Sequence, residues 1–217
     1  MNIISLIKKT LAKRNTKVLK KQVTLTGHIY DNYIFSSDAS VSLIDGSTRK
    51  DIVLGDKVWM WGRLASQSGG KIILGNYSKI GHGTSICAVE SITIGDYTAI
   101  ADNVHIMDNN NHPVNPEYRK FMRIKGDDES RLWKHSDHKP ITIGENCWIG
   151  RNVSILKGVT IGDNSVIAAN SVVTKSIPAN SIAAGNPAKV VKTNIEEILP
   201  PSSCENFNQY CESKQQF

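Results

Sequence analysis

The stretch Ile143-Gly-Glu-Asn-Cys-Trp-Ile149-Gly-Arg-Asn-Val-Ser-Ile155-Leu-Lys-Gly-Val-Thr-Ile161-Gly-Asp-Asn-Ser-Val-Ile167-Ala-Ala-Asn-Ser-Val-Val173 decides the fold. A β-branched aliphatic residue returns every six positions, and a small or β-branched residue (Cys147, Val153, Val159, Ser165, Ser171) sits four positions after most of them. The same beat appears earlier at Leu74, Ile80, Ile86, Ile94, Ile100 and Ile106. A period of six drifts around a helix of about 3.6 residues per turn and cannot define a helical face. It suits a three-sided coil in which each hexad supplies a short strand and a corner. The aliphatic side chain then points inward, and Gly, Asn or Asp takes the corner, where positive φ is least strained. Three hexads make one turn, and each turn buries the open face of the last. The expectation is an all-β chain, a parallel β-helix.

Outward from this stretch, aliphatic–Gly pairs recur at Leu54-Gly55, Leu74-Gly75 and Ile94-Gly95, 20 residues apart, and at Ile143-Gly144 and Ile161-Gly162, 18 apart. The early coils therefore carry two extra residues at one corner. Between Ile106 and Ile143 the beat stops. Residues 113–140 are too polar for core and too long for a corner, which predicts an external loop, and long loops in compact domains are usually functional. The chain divides into an N-terminal basic helical arm and cap (1–33), a β-helix domain with that loop (34–192), and a C-terminal helix with a loose tail (193–217). Residues 190–199 read as the short terminal helix.

The 217 residues are 40% hydrophobic and 21% charged, ordinary for a soluble globular protein and incompatible with wholesale disorder. No apolar run is long enough to cross a membrane as a helix. The net charge is +6, yet residues 1–22 hold seven basic side chains (Lys8, Lys9, Lys13, Arg14, Lys17, Lys20, Lys21) and no acid. The rest of the chain is close to neutral, which argues against nucleic acid as a partner. Residues 2–21 suit a helix with Ile3, Ile4, Ile7, Leu11 and Val18 near one side. Two readings of this arm stay open: a solvated helix packed on the body, or a cationic amphipathic arm in peripheral contact with an anionic membrane through residues 1–22. The four cysteines, Cys87, Cys147, Cys204 and Cys211, have no CxxC spacing and signal neither a zinc site nor a disulfide framework. With no secretory signal evident, the expectation is a cytoplasmic protein with reduced thiols and no metal, at most peripheral to the inner membrane face.

Several segments together resemble the hexapeptide-repeat acyltransferases, nearest the galactoside, maltose and polysaccharide O-acetyltransferases. They are Thr93-Ile-Gly-Asp-Tyr-Thr-Ala-Ile-Ala-Asp-Asn-Val104, Asn111-His112-Pro113, the run from Ile143 to Gly150, the run from Ile161 to Lys175, and Ala184-Gly-Asn-Pro-Ala-Lys189. The resemblance covers about residues 70–192. It implies a left-handed coil, a homotrimer with active sites between subunits, acetyl-CoA as co-substrate and a saccharide acceptor. The left hand comes from the resemblance alone, since local chain rules favour right-handed crossovers.

Acetyl transfer to an alcohol needs a base for the hydroxyl proton, donors for the developing oxyanion, and both substrates held together. A histidine suits the first task at neutral pH, and the resemblance puts the family's catalytic histidine at His112, where the coil ends and the long loop begins. For the acyl donor it implies a groove flanked by Trp148, where the small pair Ala168 and Ala169 lets backbone amides approach the donor. Thr174, Lys175, Lys189 and Lys192 would lie near its phosphates. Arg151 stays open between a phosphate clamp and a solvated corner residue. On the acceptor side, the family's polar residue one coil earlier is replaced here by His82-Gly83-Thr84-Ser85, which leaves that role open between His82 and Ser85. Asp108 is a candidate for orienting His112, against a solvated corner. The reading is an acetyl-CoA-dependent O-acetyltransferase for a saccharide, in surface-polysaccharide (capsule or O-antigen) modification. Its rivals are an acetyltransferase for a nucleotide-sugar amine, a serine or an antibiotic, a β-helical zinc enzyme, and a catalytically dead trimeric scaffold.

Overall fold

The computed structural model of the chain describes residues 3–26, 34–199 and 207. Within them the six-residue beat closes into a three-sided coil, each turn giving one short strand to each of three parallel sheets. The first sheet holds Thr24–Leu25, Ile52–Leu54, Lys71–Leu74, Ser91–Ile94, Ile141–Ile143 and Thr160–Ile161. The second runs from Ile34–Phe35 through Trp59–Met60, Lys79–Ile80, Ala99–Ile100, Trp148–Ile149 and Val166–Ile167 to Ile182–Gly185 and Ala188–Lys192. The third is built from Ser40–Ile44, Arg63–Gln67, Ser85–Ala88, His105–Met107, Ser154–Ile155 and Val172–Val173.

The register explains the beat. Leu74, Ile94, Ile143 and Ile161 pair in succession, as do Ile80, Ile100, Ile149 and Ile167, and Ile86, Ile106, Ile155 and Val173. These three columns are buried and fill the interior. Burial of each such side chain contributes about 1.5–3 kcal/mol.

The corners divide the work between two residue types. Asn146, Asn164 and Asn180 at one corner, and Asn103, Asn152 and Asn170 at the next, hold φ between 52° and 61°. Asn is among the residues that tolerate this region best. Their amides form ladders along the coil axis, Asn146 Nδ2 to Asn164 Oδ1, Asn164 Nδ2 to Asn180 Oδ1 and Asn152 Nδ2 to Asn170 Oδ1, each at 3.0 Å. The glycines after the aliphatic residues serve a different purpose from the positive φ expected of them. A Cβ on Gly95 would lie 2.6 Å from Glu145 N, and one on Gly144 would lie 2.7 Å from Asp163 N. They are glycines because the next coil's backbone stacks directly on them.

Helix α1 (Ile3–Leu19) closes the N-terminal end. Asn15 Nδ2 donates to the carbonyls of Ser36 at 2.6 Å and Ala39 at 2.9 Å, and Leu19 joins the core. The apolar side expected for this helix is not its packing side at the residues described: Leu11 and Val18 are 48% and 52% exposed. Asn15, Thr16 and Leu19 face the body instead, because the first coil offers open carbonyls there. The part of the expected cap at 27–33 and the tail from 200 onward, Phe207 apart, lie outside the described residues.

Two other expectations are corrected. Residues 190–199 are not a helix. Ala188–Lys192 is a strand running antiparallel to Ile182–Gly185, followed by a 3-10 turn at Ile195–Glu197. The open edge at Ile182–Gly185 offers backbone partners, and the β-branched pair Val190-Val191 favours extended chain over helix. The long insertion also contains a helix, α2 (Pro116–Lys125), where only loop was expected. Asn115 Oδ1 caps it by accepting from Tyr118 N at 2.9 Å, Pro116 opens it, and Gly126 ends it at φ 67°. These are ordinary start and stop signals in the sequence, hidden by the polarity of the segment.

Gly95→Ala is expected to lower stability by ~1–3 kcal/mol or more, since both clashing partners are backbone and cannot rotate away. Urea unfolding of the full chain reads this, and an unchanged midpoint would contradict the stacking role.

Candidate active site

The insertion leaves the coil after Met107, at the edge where the third sheet turns into the first. Asp108 anchors the exit. Its fully buried carboxylate accepts from Val89 N at 3.0 and 3.1 Å and from Glu90 N at 2.8 Å, and Asn109 Nδ2 donates to it at 3.0 Å. Asp108 therefore ties two coils together. The expectation that it orients His112 or touches substrate is not met, because its oxygens are engaged by amides inside the fold. The base of the insertion is zipped by an antiparallel bridge between Asn109 and His138. Lys139 N to Asp108 O at 2.8 Å and Asn110 N to Asp137 O at 3.0 Å complete it.

Beyond this neck the insertion folds back along the third sheet's side of the coil. Trp133 N donates to Gln67 Oε1 and Lys134 Nζ reaches Asp45 at 3.1 Å, while at the neck itself His138 Nδ1 meets Glu90 Oε2 at 2.8 Å. The insertion is thus a docked wall, held at coils well before its own.

His112 stands just past the neck, its N–H donating to Asn110 O at 2.6 Å. The ring is half-buried, and Nδ1 is wholly buried with no partner among the described residues. Such an atom ordinarily costs about 1–3 kcal/mol. A cleft of about 30 Å³ beside the ring is lined by His112, Arg119, Met122 and Arg123. A wider groove of about 400 Å³ runs along the third sheet, with Ser85, His105, Asn109, Asn110 and Ser154 among its walls.

Of the acceptor candidates, Ser85 lies in that wider groove, its Oγ 3.2 Å from Cys87 Sγ. His82 lines neither space. Its ring sits near Trp61, and its Nδ1 is 3.8 Å from Asp38 Oδ2.

The donor candidates fall into three places. Trp148, 59% exposed, stands on the second sheet. It shares one register row with Val166, Ile182 and Lys192, and Lys189 lies on the same hairpin. At the corner after this sheet are Arg151, Ala168 and Ala169. Arg151 Nη2 pairs with Asp102 Oδ2 at 3.1 Å, a solvated corner contact. Ala168 N donates to Ala183 O at 2.9 Å, so its amide belongs to the coil stacking and is not available to a ligand. Thr174 and Lys175 follow the third sheet and sit at the edge that carries the insertion two coils below. In a triangular coil this edge lies opposite the second sheet. One subunit therefore does not bring His112 and Trp148 together.

The cysteines Cys87 and Cys147 are buried, and burial pushes both thiols up. Neither supplies a thiolate at neutral pH. Among the described residues no group of three or more His, Cys, Asp or Glu is placed to hold a metal.

The sequence analysis missed Arg119, Met122 and Arg123. Their signal was present in the capped run from Asn115 to Gly126, whose residues at helical spacing put both arginines on one side.

Residues 140–175 match the bacterial transferase hexapeptide (six repeats) family. The chain is 42% identical over 135 residues to a polysialic acid O-acetyltransferase of Escherichia coli O1:K1 / APEC, covering 62% of this chain and 40% of that protein. It is 39% identical over 155 residues to a putative acetyltransferase of Dictyostelium discoideum, covering 69% of this chain and 75% of that one. The chain thus spans less than half the length of the first relative. The crystal structure of the polySia specific acetyltransferase NeuO is similar with a TM-score of 0.53 at 25% identity, over 89% of this chain and 96% of that chain. The shared architecture is a left-handed parallel β-helix.

Because burial keeps their thiols protonated, Cys87 and Cys147 are expected to react with a thiol reagent at pH 8 far more slowly in the native chain than in urea. Mass-spectrometric labelling reads each site separately, and equal native and unfolded rates would overturn the assignment.

Proposed function

The chain belongs to the hexapeptide-repeat transferase family, and from that premise we propose that it is an O-acetyltransferase moving acetyl from acetyl-CoA to a saccharide hydroxyl, with His112 as the general base. The observation that carries this reading is the setting of His112. It sits at the mouth of a docked wall, with one ring nitrogen sequestered and a cleft beside it. With Nδ1 sequestered, Nε2 is the nitrogen that takes the acceptor's hydroxyl proton. A neutral hydroxyl is a weak nucleophile, and removing its proton as its oxygen attacks is the contribution a positioned base makes. The acyl thioester supplies an activated acetyl group, and its release leaves a free thiol. Transfer is direct, since the described cysteines lack the thiolate that a covalent relay would need.

The acceptor class follows the relatives, and the pathway proposed is surface-polysaccharide modification. The same reading includes a homotrimer. Its support is the position of His112 and Trp148 on opposite sides of one coil, which a neighbouring copy can bring into one groove. The exposed tryptophan and the lysines at Lys189 and Lys192 suit the acyl donor and its phosphates there. Lysine gives charge at these positions without the bidentate fork of arginine. A cytoplasmic site of action with peripheral contact to an anionic inner membrane surface belongs to this proposal too. Its support is the outward Leu11 and Val18 on a helix that lies within the acid-free residues 1–22 of the chain.

The test is acetyl-CoA-dependent thiol release against monosaccharides, oligosaccharides, polysaccharides and amino sugars, with His112→Ala alongside. The expected result is acceptor-dependent release that falls ~10²–10⁴-fold in the variant while its circular dichroism is unchanged. Release that survives the substitution would remove His112 from the chemistry. Release with amines alone would move the activity to N-acetylation.

A further inference from the structure

Helix α2 carries Arg119 and Arg123 one turn apart, and both line the His112 cleft together with the buried Met122. The helix is held by its Asn115 cap, by Gly126 and by Met122, so the two guanidinium groups stand on a fixed platform rather than on loose chain. Arg119 Nη1 is braced on the carbonyl of Val114 and lies 3.4 Å from that of Pro113. Among the described residues, neither arginine is in an ion pair. Two lysines of the same insertion are paired: Lys125 with Asp127 at 2.9 Å, and Lys134 with Asp45 and Glu129 at 3.1 and 3.2 Å. Like charges at this helical spacing repel, yet α2 holds these two cations, neither of them ion-paired among the described residues, against the cleft beside His112.

The place of the cleft decides which anion these arginines suit. The phosphates of acetyl-CoA are separated from its thioester by the whole pantetheine arm. An anion held next to the base that attacks through the acceptor oxygen therefore belongs to the acceptor. A planar fork of N–H donors fits a carboxylate in two parallel bonds.

We propose that Arg119 and Arg123 bind a carboxylate on the acceptor, adjacent to the hydroxyl that His112 deprotonates, so that the chain selects acidic saccharides over neutral ones. This rests on the O-acetyl-transfer reading above. It goes beyond that reading in naming the acceptor's charge and the residues that select for it.

Oligomers of sialic acid and of galacturonic acid, each compared with its carboxyl-reduced form, test this on the full chain and on Arg123→Gln, Arg123→Lys and Arg119→Gln. Reduction turns each carboxylate into a neutral alcohol and leaves the ring hydroxyls in place. Saturation-transfer NMR without acetyl-CoA reads binding, and thiol release reads turnover. The expected result is an acidic form preferred tenfold or more in both readouts. Arg123→Gln should abolish the preference by raising the acceptor KM about 10–100-fold, with kcat and the KM for acetyl-CoA held, and Arg123→Lys should restore part of it.

Equal handling of acidic and reduced forms by the unsubstituted chain would overturn the proposal, as would an equal loss on both forms in the variants. A loss confined to the KM for acetyl-CoA would reassign the arginines to the donor. A hexose phosphate that competes as well as free galacturonate would replace the carboxylate by a phosphate. Turnover of neutral acceptors alone would refute the charge selection and leave the transferase reading standing. Thiol release on no acceptor, with acidic oligomers still bound and lost in Arg123→Gln, would refute the transfer reading and uphold the carboxylate site.

Discussion

A single turn of this chain leaves backbone N–H and C=O groups open on both of its edges and an aliphatic layer open on both of its faces, and only another turn of the same shape satisfies all of them. The demand is met by parallel pairing in register, with Ile above Ile in three columns and the corner amides of asparagine bonded along the axis. Stacking of this kind is propagated from neighbour to neighbour, so stability accumulates coil by coil. It also sets a hard limit on side-chain volume at each glycine, where the next backbone sits within a Cβ's reach. The ends are where propagation stops. There the structure turns to other devices: a helix clamped through Asn15 at the first coil, and an antiparallel hairpin at the last.

The rigidity of the stack is what makes an excursion useful. The insertion leaves and returns between two paired coils, and the coil closes behind it: Cys147 N donates to Thr98 Oγ1 across 49 positions of sequence. Because the neck is fixed by the buried Asp108 and by the bridge at its base, His112 has a defined position. Because the distal part is tied to Asp45 and Gln67, helix α2 has one too. His112 and two cations from a surface segment are thereby tied to the rigid stack. Sites that require tight geometry are usually built on such supports.

Charge is distributed by the same logic. The repeat region is close to neutral, and one of its corner cations, Arg151, is paired with Asp102. Positive charge also gathers at the two additions to the repeat, the N-terminal segment and α2. Both lie outside the stack, where a charged side chain keeps its hydration until a partner replaces it.

The sequence by itself determined the coil, because a six-residue period has only one regular solution that buries every aliphatic position, and neighbouring hexads repeat the demand. It also located the break in the repeat and, through the motif resemblance, the histidine at its edge. Even there it misread the reason for the glycines, which answer to the coil above them rather than to their own φ. Tertiary structure decided the rest. Asp108 looks in sequence like any polar corner residue, and only the third dimension sets it against Val89 and Glu90. Leu11 and Val18 look like a packing face, and only the open carbonyls of the first coil turn Asn15 and Leu19 inward instead. The arginines of α2 follow His112 closely and their helix is signalled locally, but the contacts that fix the insertion, Trp133 to Gln67 and Lys134 to Asp45, join segments far apart in sequence that no local pattern records. Periodic contacts between near neighbours are written in the chain as a rhythm, whereas a single contact between distant segments leaves no rhythm to read.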